Sequence, residues 1–400
     1  MAELQAFVPG IYPRSEELVQ ATRDLDRGRT TQEAVDEQVE RDRAAFVSGQ
    51  QAAGLDLLAD GMLGWQDHFR PLLDLADGLE TGALTRFLDT NSFYRAPKAT
   101  TATPQLGAPL DERYVSPLPG PRLVTLPSPF ALAKGTGVTP KTMAEGVLKP
   151  AIEALDADLV VLAEPFLGHH DEASLGDLAE ALESLAGGPE LAIWFTFADA
   201  RPLLEQGAAD LPVEAIGIDF YATHLTDLPE GFPKLLLAGV VDARNSLLEE
   251  PRELAAFAQR LGERAERIAL VPNGDLQYVS ERIAGEKLDA APLLSARARL
   301  LDQRRDQRAL IGEQRLANRL AARQGGSRAD VAFGFAHGAS LVLWASPNYC
   351  GLVMVAALGR RRNDRRHHHR PHRQRFEGPP RYLAQIGRDG RARSHHGRAP

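Results

Sequence analysis

Ala52–Phe69 reads AAGLDLLADGMLGWQDHF, and its reading decides the fold. Gly54 punctuates the end of a helix. Leu55–Ala59 is a mostly apolar run of strand length, and polarity switches at Asp60-Gly61. Trp65, Asp67 and His68, three groups able to touch a ligand, follow within a few residues. A buried parallel strand whose C-terminal end opens into a polar loop is how α/β barrels build sites, because those ends share one face. One such stretch is equally a strand with a polar loop. Recurrence decides between the two.

The pattern recurs. Phe7-Val8 ends at Pro9-Gly10, and Arg122–Leu126 ends at Pro127-Ser128-Pro129. Leu159–Leu162 ends at Ala163-Glu164-Pro165, Leu191–Phe195 at Thr196, and Ala215–Ile218 at Asp219. Leu235–Val241 ends at Asp242, with Arg244-Asn245 beyond, and Ile268–Val271 ends at Pro272-Asn273-Gly274-Asp275. Between them lie helical patterns, among them one opened by a capping box at Thr30 and Glu33 and one opened by Thr139-Pro140. Pro71–Leu88 also reads as helical, leading into the loop DTNSFYRAP (Asp89–Pro97). Continuous apolar runs between helices mean strands covered on both faces, hence a parallel sheet. Eight of them predict an α/β fold, a single (β/α)8 TIM-type barrel. No glycine-rich phosphate fingerprint follows any of the runs.

Composition divides the chain. Apolar residues make up 44% and charged residues 25%, a globular balance. Residues 302–400 hold 20 Arg, no Lys and 7 acidic residues, while residues 1–301 carry 26 basic and 47 acidic residues. That change predicts a barrel over 1–301 and an Arg/His-rich tail over 302–400. Asp302–Gln324 has a helix-like composition. The apolar segment 331–358 precedes a basic cluster, as a membrane span would. Pro347, Asn348 and three glycines interrupt it, so the tail is read as disordered or non-native, without a membrane role. Nor does the pattern suggest nucleic acid as a partner. The N-terminus lacks a basic region followed by an apolar run, so a cytoplasmic protein is expected. Cys350 is the only cysteine, which excludes a disulfide framework.

GIYPR (Gly10–Arg14), DLLADGMLGWQDHF (Asp56–Phe69), RFLDTNSFYRAP (Arg86–Pro97), IWFTFAD (Ile193–Asp199), IGIDF (Ile216–Phe220), LAGVVDARN (Leu237–Asn245) and LVPNGDL (Leu270–Leu276) occur in that order. Together they resemble the cobalamin-independent methionine synthase family, specifically its N-terminal barrel, over roughly residues 5–300. The resemblance implies methyl transfer from a folate polyglutamate to homocysteine, with a zinc-bound thiolate as acceptor in the family's catalytic barrel. The family's zinc ligands, a His-x-Cys pair, a Glu and a Cys, fall here on Trp194, Thr196, Asp219 and Gly274. Residues 1–301 contain no cysteine, so no zinc cofactor is expected in this chain. A basic Arg-Glu-Leu-Lys folate run is matched by Glu16-Glu17-Leu18-Val19, without its basic residues. Arg86 and the Asp89, Thr90, Asn91, Tyr94 motif are retained.

The candidate ligand-binding residues are therefore Trp65, Asp67, His68, Arg86, Asp89, Asn91, Tyr94, Glu164, Asp219, Asp242 and Asn245. Trp65 suits a ligand platform or a core position. Asp67 and His68 suit an acid/base pair or separate structural roles. Glu164 either serves the site or closes the rim, and Asp219 and Asp242 either hold a cation or pair with Arg244 or Arg95. His169-His170-Asp171 and the His367–His369 and His372 group have the composition of metal binders and little else to support that role. The leading expectation is a folate-binding or accessory barrel, with a separately encoded zinc-bearing barrel as partner and no methionine synthesis by itself. A metal-free decarboxylase of the uroporphyrinogen decarboxylase type, using Asp67, Arg95 and Arg244, is the alternative enzyme. A non-catalytic binding subunit is the third.

Overall fold

The computed structural model describes residues 3–169 and 175–288, and three short strands between residues 333 and 354. The chain divides into two compact units, 1–314 and 315–400.

In the first unit seven parallel strands form one sheet. Glu3–Ala6 pairs with Ala265–Pro272, which pairs with Phe232–Val241, and the order continues through Ala215–Asp219, Glu190–Phe195 and Leu159–Glu164 to Leu123–Pro127. The central strands are buried along their whole length, as expected of runs covered on both faces. Leu55–Ala59 departs from the expectation of a full strand. It adds one parallel bridge, Leu58 to Arg122. It nevertheless meets both edges of the sheet. The Asp56 N–H donates to the Ala6 carbonyl at 2.9 Å, and the Leu123 N–H donates to the Leu58 carbonyl at 2.9 Å. Asp56 itself accepts from the Ala6 N–H at 2.8 Å, a side chain substituting for a strand carbonyl.

Helices follow the strands on the outside. Thr31, one residue after the expected cap, is the N-cap of Gln32–Ala52, its hydroxyl accepting from the Ala34 N–H. Thr139 caps Pro140–Met143 as expected, and a wider turn at Ala144–Leu148 precedes Lys149–Glu153, where Pro150 lacks the amide that a regular turn would use. The first strand is Glu3–Ala6 rather than Phe7-Val8, which continue it into the mouth.

The largest correction concerns Pro71–Leu88. Its helix is only Arg70–Leu75; Gly78, at φ 85°, then turns the chain into an antiparallel hairpin of Leu79–Arg86 and Phe93–Ala99. The segment read as a loop is thus the turn and second strand of that hairpin.

In the second unit the described residues are Phe333–Ala336, Ala339–Ser346 and Tyr349–Met354, forming an antiparallel three-stranded sheet. The expectation of a disordered or non-native tail concerned the whole of 302–400, most of which lies outside the described residues. A long β-branched and aromatic run broken by Gly and Pro-Asn suits a meander better than a span. Asp302–Gln324 and the histidines of the tail lie outside the described residues. Among the described residues, no helix is long and apolar enough to cross a membrane.

Candidate functional site

The C-terminal ends of the parallel strands carry three buried acids. Glu164 closes the fourth expected strand. Its Oε1 accepts from the Phe166 and Leu167 N–H groups at 2.8 Å each, and Ser128 Oγ donates to its Oε2. Burial raises its carboxyl above the usual range, against the pull of those hydrogen bonds. Asp219 ends the sixth. Its Oδ1 accepts from Tyr221 N–H at 2.8 Å and Asn273 Nδ2 at 3.2 Å, while its Oδ2 is buried without a partner among the described residues. Burial pushes this carboxyl up to about 6. Asp275, in the loop after the eighth, holds Ile11 N–H at 3.0 Å and His68 Nε2 at 2.7 Å.

His68 is thereby fixed between loops 207 residues apart in sequence. Burial works against its positive charge, but the charge and hydrogen bond of Asp275, helped by Asp67, outweigh it and raise the imidazole above its ordinary value. Its Nδ1 is a second buried atom without a partner among the described residues, and the indole Nε1 of Trp194 is a third.

Aromatic rings roof this polar floor. Phe87 and Tyr94 come from the hairpin. Phe87 stacks on Tyr278 at 5.9 Å, and Tyr94 lies 6.0 Å from Phe166. Phe197 meets Tyr278 edge-on at 5.5 Å, and the Arg244 guanidinium sits over Phe197 at 4.6 Å. Arg244 also reaches Asp89 on the hairpin turn at 3.4 Å. Lys134 stands over Phe166 at 5.2 Å. The rings pack against one another close to the buried carboxyls and the Arg244 guanidinium.

The expected site residues fall into separate groups. His68, Glu164 and Asp219 lie in the buried floor, and Tyr94 lies in the roof. Trp65 is 1% exposed; its indole N–H donates to the Tyr114 carbonyl at 2.8 Å, so it packs in the core and presents no platform. Asp67 accepts from the Phe69, Arg70 and Arg95 amides at 2.8, 2.9 and 3.0 Å, tying the hairpin to the short helix while its charge also acts on His68. Arg86 donates to the Thr90 and Asp89 carbonyls at 2.6 and 3.1 Å and so braces the hairpin turn. Asn91 is exposed on that turn. Asp242 and Asn245 cap their own loop, accepting from the Arg244 and Leu247 amides at 3.0 Å each, and the Asp242 charge helps to raise the Asp219 carboxyl. Arg95 donates to the Gly82 carbonyl at 3.5 Å, so Asp67, Arg95 and Arg244 do not converge as an anion site. Of His169-His170-Asp171, only His169 is among the described residues.

Sequence reasoning overlooked Asp275, Phe197 and Tyr278. Asp275 had a usable signal, an acid just past a strand end. Phe197 has a backbone at φ 59°, unusual for an aromatic residue, and nothing in its neighbours foretold it.

The positions corresponding to the family's zinc ligands lie in this region. Trp194 is fully buried, and a Cβ at Gly217 would stand 2.3 Å from its ring. A Cβ at Gly274 would stand 2.0 Å from the Phe197 ring. Among the described residues, no group of three or more His, Cys, Asp or Glu is arranged to hold a metal ion.

No family model matches the chain. A 5-methyltetrahydropteroyltriglutamate–homocysteine methyltransferase of Mycobacterium tuberculosis strain H37Rv is 30% identical over 291 residues, covering 59% of this chain and 37% of the relative. One from Synechococcus is 34% identical over 122 residues, 28% of this chain and 16% of the relative. Over these stretches the chain is similar to cobalamin-independent methionine synthases. The matched stretch spans 37% of the length of the Mycobacterium relative and 16% of that of the Synechococcus one. Among solved structures, a B12-independent methionine synthase from Shewanella sp. W3-18-1, in complex with selenomethionine, superposes with a TM-score of 0.59 at 15% identity, covering 76% of this chain and 99% of that one. A putative B12-independent methionine synthase from Listeria monocytogenes does so with a TM-score of 0.54 at 15% identity, covering 74% and 98%. The shared fold therefore extends across nearly all of the Shewanella chain.

Proposed function

We propose that this chain is a methionine-synthase-related (β/α)8 barrel without the zinc-thiolate site. In this reading it acts in the cytoplasm as a folate-binding or accessory half in methionine biosynthesis, beside a separately encoded zinc-bearing barrel. The seven-stranded sheet with Asp56–Leu58 joined to both edges supports the closed, eight-position form.

The observation that carries the reading is the Phe197 ring against Gly274. A cysteine at 274 would collide with that ring, and Trp194 fills the place of a histidine. Thr196 offers a neutral hydroxyl and Asp219 a carboxyl held near 6. These residues do not fit zinc, which prefers thiolate and imidazole donors in a tetrahedral array. Without a means of making thiolate, each pH unit between the thiol's pKa and neutrality withholds about a factor of ten in reactive sulfur. Methyl transfer to homocysteine is thus assigned to the partner.

The residues present suit binding. In this reading the half-buried Tyr278, packed beside Phe87 and Phe197, offers ring surface to a flat heterocycle. Asp219 Oδ2 accepts from its N–H edge and is half protonated near pH 6, and Arg244 faces the anionic end. The test is methionine formation from homocysteine and methyltetrahydrofolate triglutamate, by the chain alone, with and without zinc, and with a zinc-bearing barrel. Folate binding without turnover by the chain alone is expected. Turnover that survives chelation and disappears in Asp219→Asn overturns the reading.

A further inference from the structure

Away from the aromatic roof, a cavity of about 650 Å³ opens between the loop after Ala215–Asp219, the loop after Phe232–Val241 and the helix Pro251–Leu261. Its floor is apolar. Phe220 and Phe257 meet edge to face at 5.5 Å, with Val240 and Leu254 beside them. Its outer wall is Tyr221, Leu247 and Leu248, which are 52%, 73% and 47% exposed. Three large apolar side chains this open, next to one another around a concavity, mark a binding surface. The volume suits a small organic ligand.

The wall is built before any ligand arrives. Lys287 Nζ, wholly buried, donates to the Leu247 carbonyl at 2.7 Å and to both Glu249 oxygens at 2.9 and 3.1 Å. Tyr221 Oη donates to Glu249 at 3.3 Å. The loop is pinned from behind, so its leucines stand open as a fixed feature.

Charge names the ligand class. Glu249 is balanced by Lys287. Asp242, half-buried, and Glu250 and Glu253, exposed at the edge, add negative charge, and the lining cation, Arg260, lies over the Phe257 ring at 5.1 Å. An apolar floor with carboxylates at its edge complements an apolar body ending in a positive charge. We propose that this cavity binds a small organic ammonium ion with an aryl or alkyl body. The cavity shares Asp242 and Asn245 with the residues expected from the sequence to bind a ligand, but none of the roof aromatics or buried acids takes part.

The experiment titrates the full chain with 4-phenylbutylammonium and with the isosteric 4-phenylbutyrate, followed by calorimetry at low and high salt. The ammonium ion should bind at least about tenfold tighter, with the preference shrinking at high salt as exposed carboxylates are screened. Glu250→Gln/Glu253→Gln should abolish the preference while leaving the apolar contribution. Ala256→Trp, at an exposed helix position lining the cavity, should abolish binding of both compounds. Circular dichroism and the unfolding midpoint of each variant confirm that it is folded. Equal binding of the two compounds, or ammonium binding that survives Ala256→Trp, overturns the proposal.

Discussion

Replacing Lys287 by Met is the sharpest probe of how the seventh strand's loop is held. The Lys287 side chain is 0% exposed and that of Glu249 is 7% exposed, so solvent cannot take over either charge. Met preserves the apolar stem and removes three donated hydrogen bonds. Glu249 would keep two neutral donors, the Asp242 N–H at 2.8 Å and the Tyr221 hydroxyl at 3.3 Å. Breaking a buried pair from one side costs about 3–5 kcal/mol, because the other charge stays behind. The remaining donors place this case near about 3 kcal/mol. With a urea m-value of about 3 kcal/mol/M, the midpoint falls by about 1 M. Glu249→Gln in the Lys287→Met background removes the stranded charge and should recover most of the loss. Urea unfolding of the parent, both single variants and the double variant, followed by tryptophan fluorescence, closes the cycle. A Lys287→Met midpoint within about 0.3 M of the parent, or a double variant no better than that single, would refute the argument.

Asp219→Asn should stabilise the protein at high pH. The folded carboxyl ionises near 6 against 3.8 unfolded, so its stability contribution is complete below about pH 4 and lost as pH rises through 6. The variant should therefore gain up to about 3 kcal/mol at pH 8 and almost nothing at pH 4; a pH-independent difference contradicts this. The raised His68 has the same sign: its contribution is present below about pH 6.5 and lost as pH rises through the folded value, so His68→Gln should flatten urea midpoints between about pH 6 and 8. Gly274→Cys should lower the melting temperature, since overpacking costs about 1–3 kcal/mol. Phe197→Ala should cost less in that background than in the parent, and additive losses would show that the ring and position 274 do not compete for space.

Six of the parallel strands were readable because each is a mostly apolar run ending at a turn or a polar residue, as Leu159–Glu164 and Ala215–Asp219 illustrate. The hairpin was not readable. LETGALTR carries no clean alternation, since its outer face is solvent-exposed and a bulge interrupts its pairing between Thr81 and Leu84. Acids at strand ends pointed correctly to the buried Glu164 and Asp219. The roof was invisible in sequence, because Phe87, Phe166, Phe197 and Tyr278 meet only through tertiary structure. Trp65 misled for a physical reason: a tryptophan just past a strand end serves equally as a platform or as a core residue, and only the Tyr114 carbonyl decides.

The central claim is that this methionine-synthase-like chain does not build the zinc-thiolate centre. Its most direct test is the zinc content of the full chain carrying His367→Ala, His368→Ala, His369→Ala and His372→Ala, so that the histidine-rich tail does not contribute. The protein is produced with added zinc, dialysed against a weak chelator and assayed by elemental analysis. The account predicts far less than one zinc per chain, unchanged by Asp219→Asn. One tightly held zinc per chain, lost in Asp219→Asn, would contradict it.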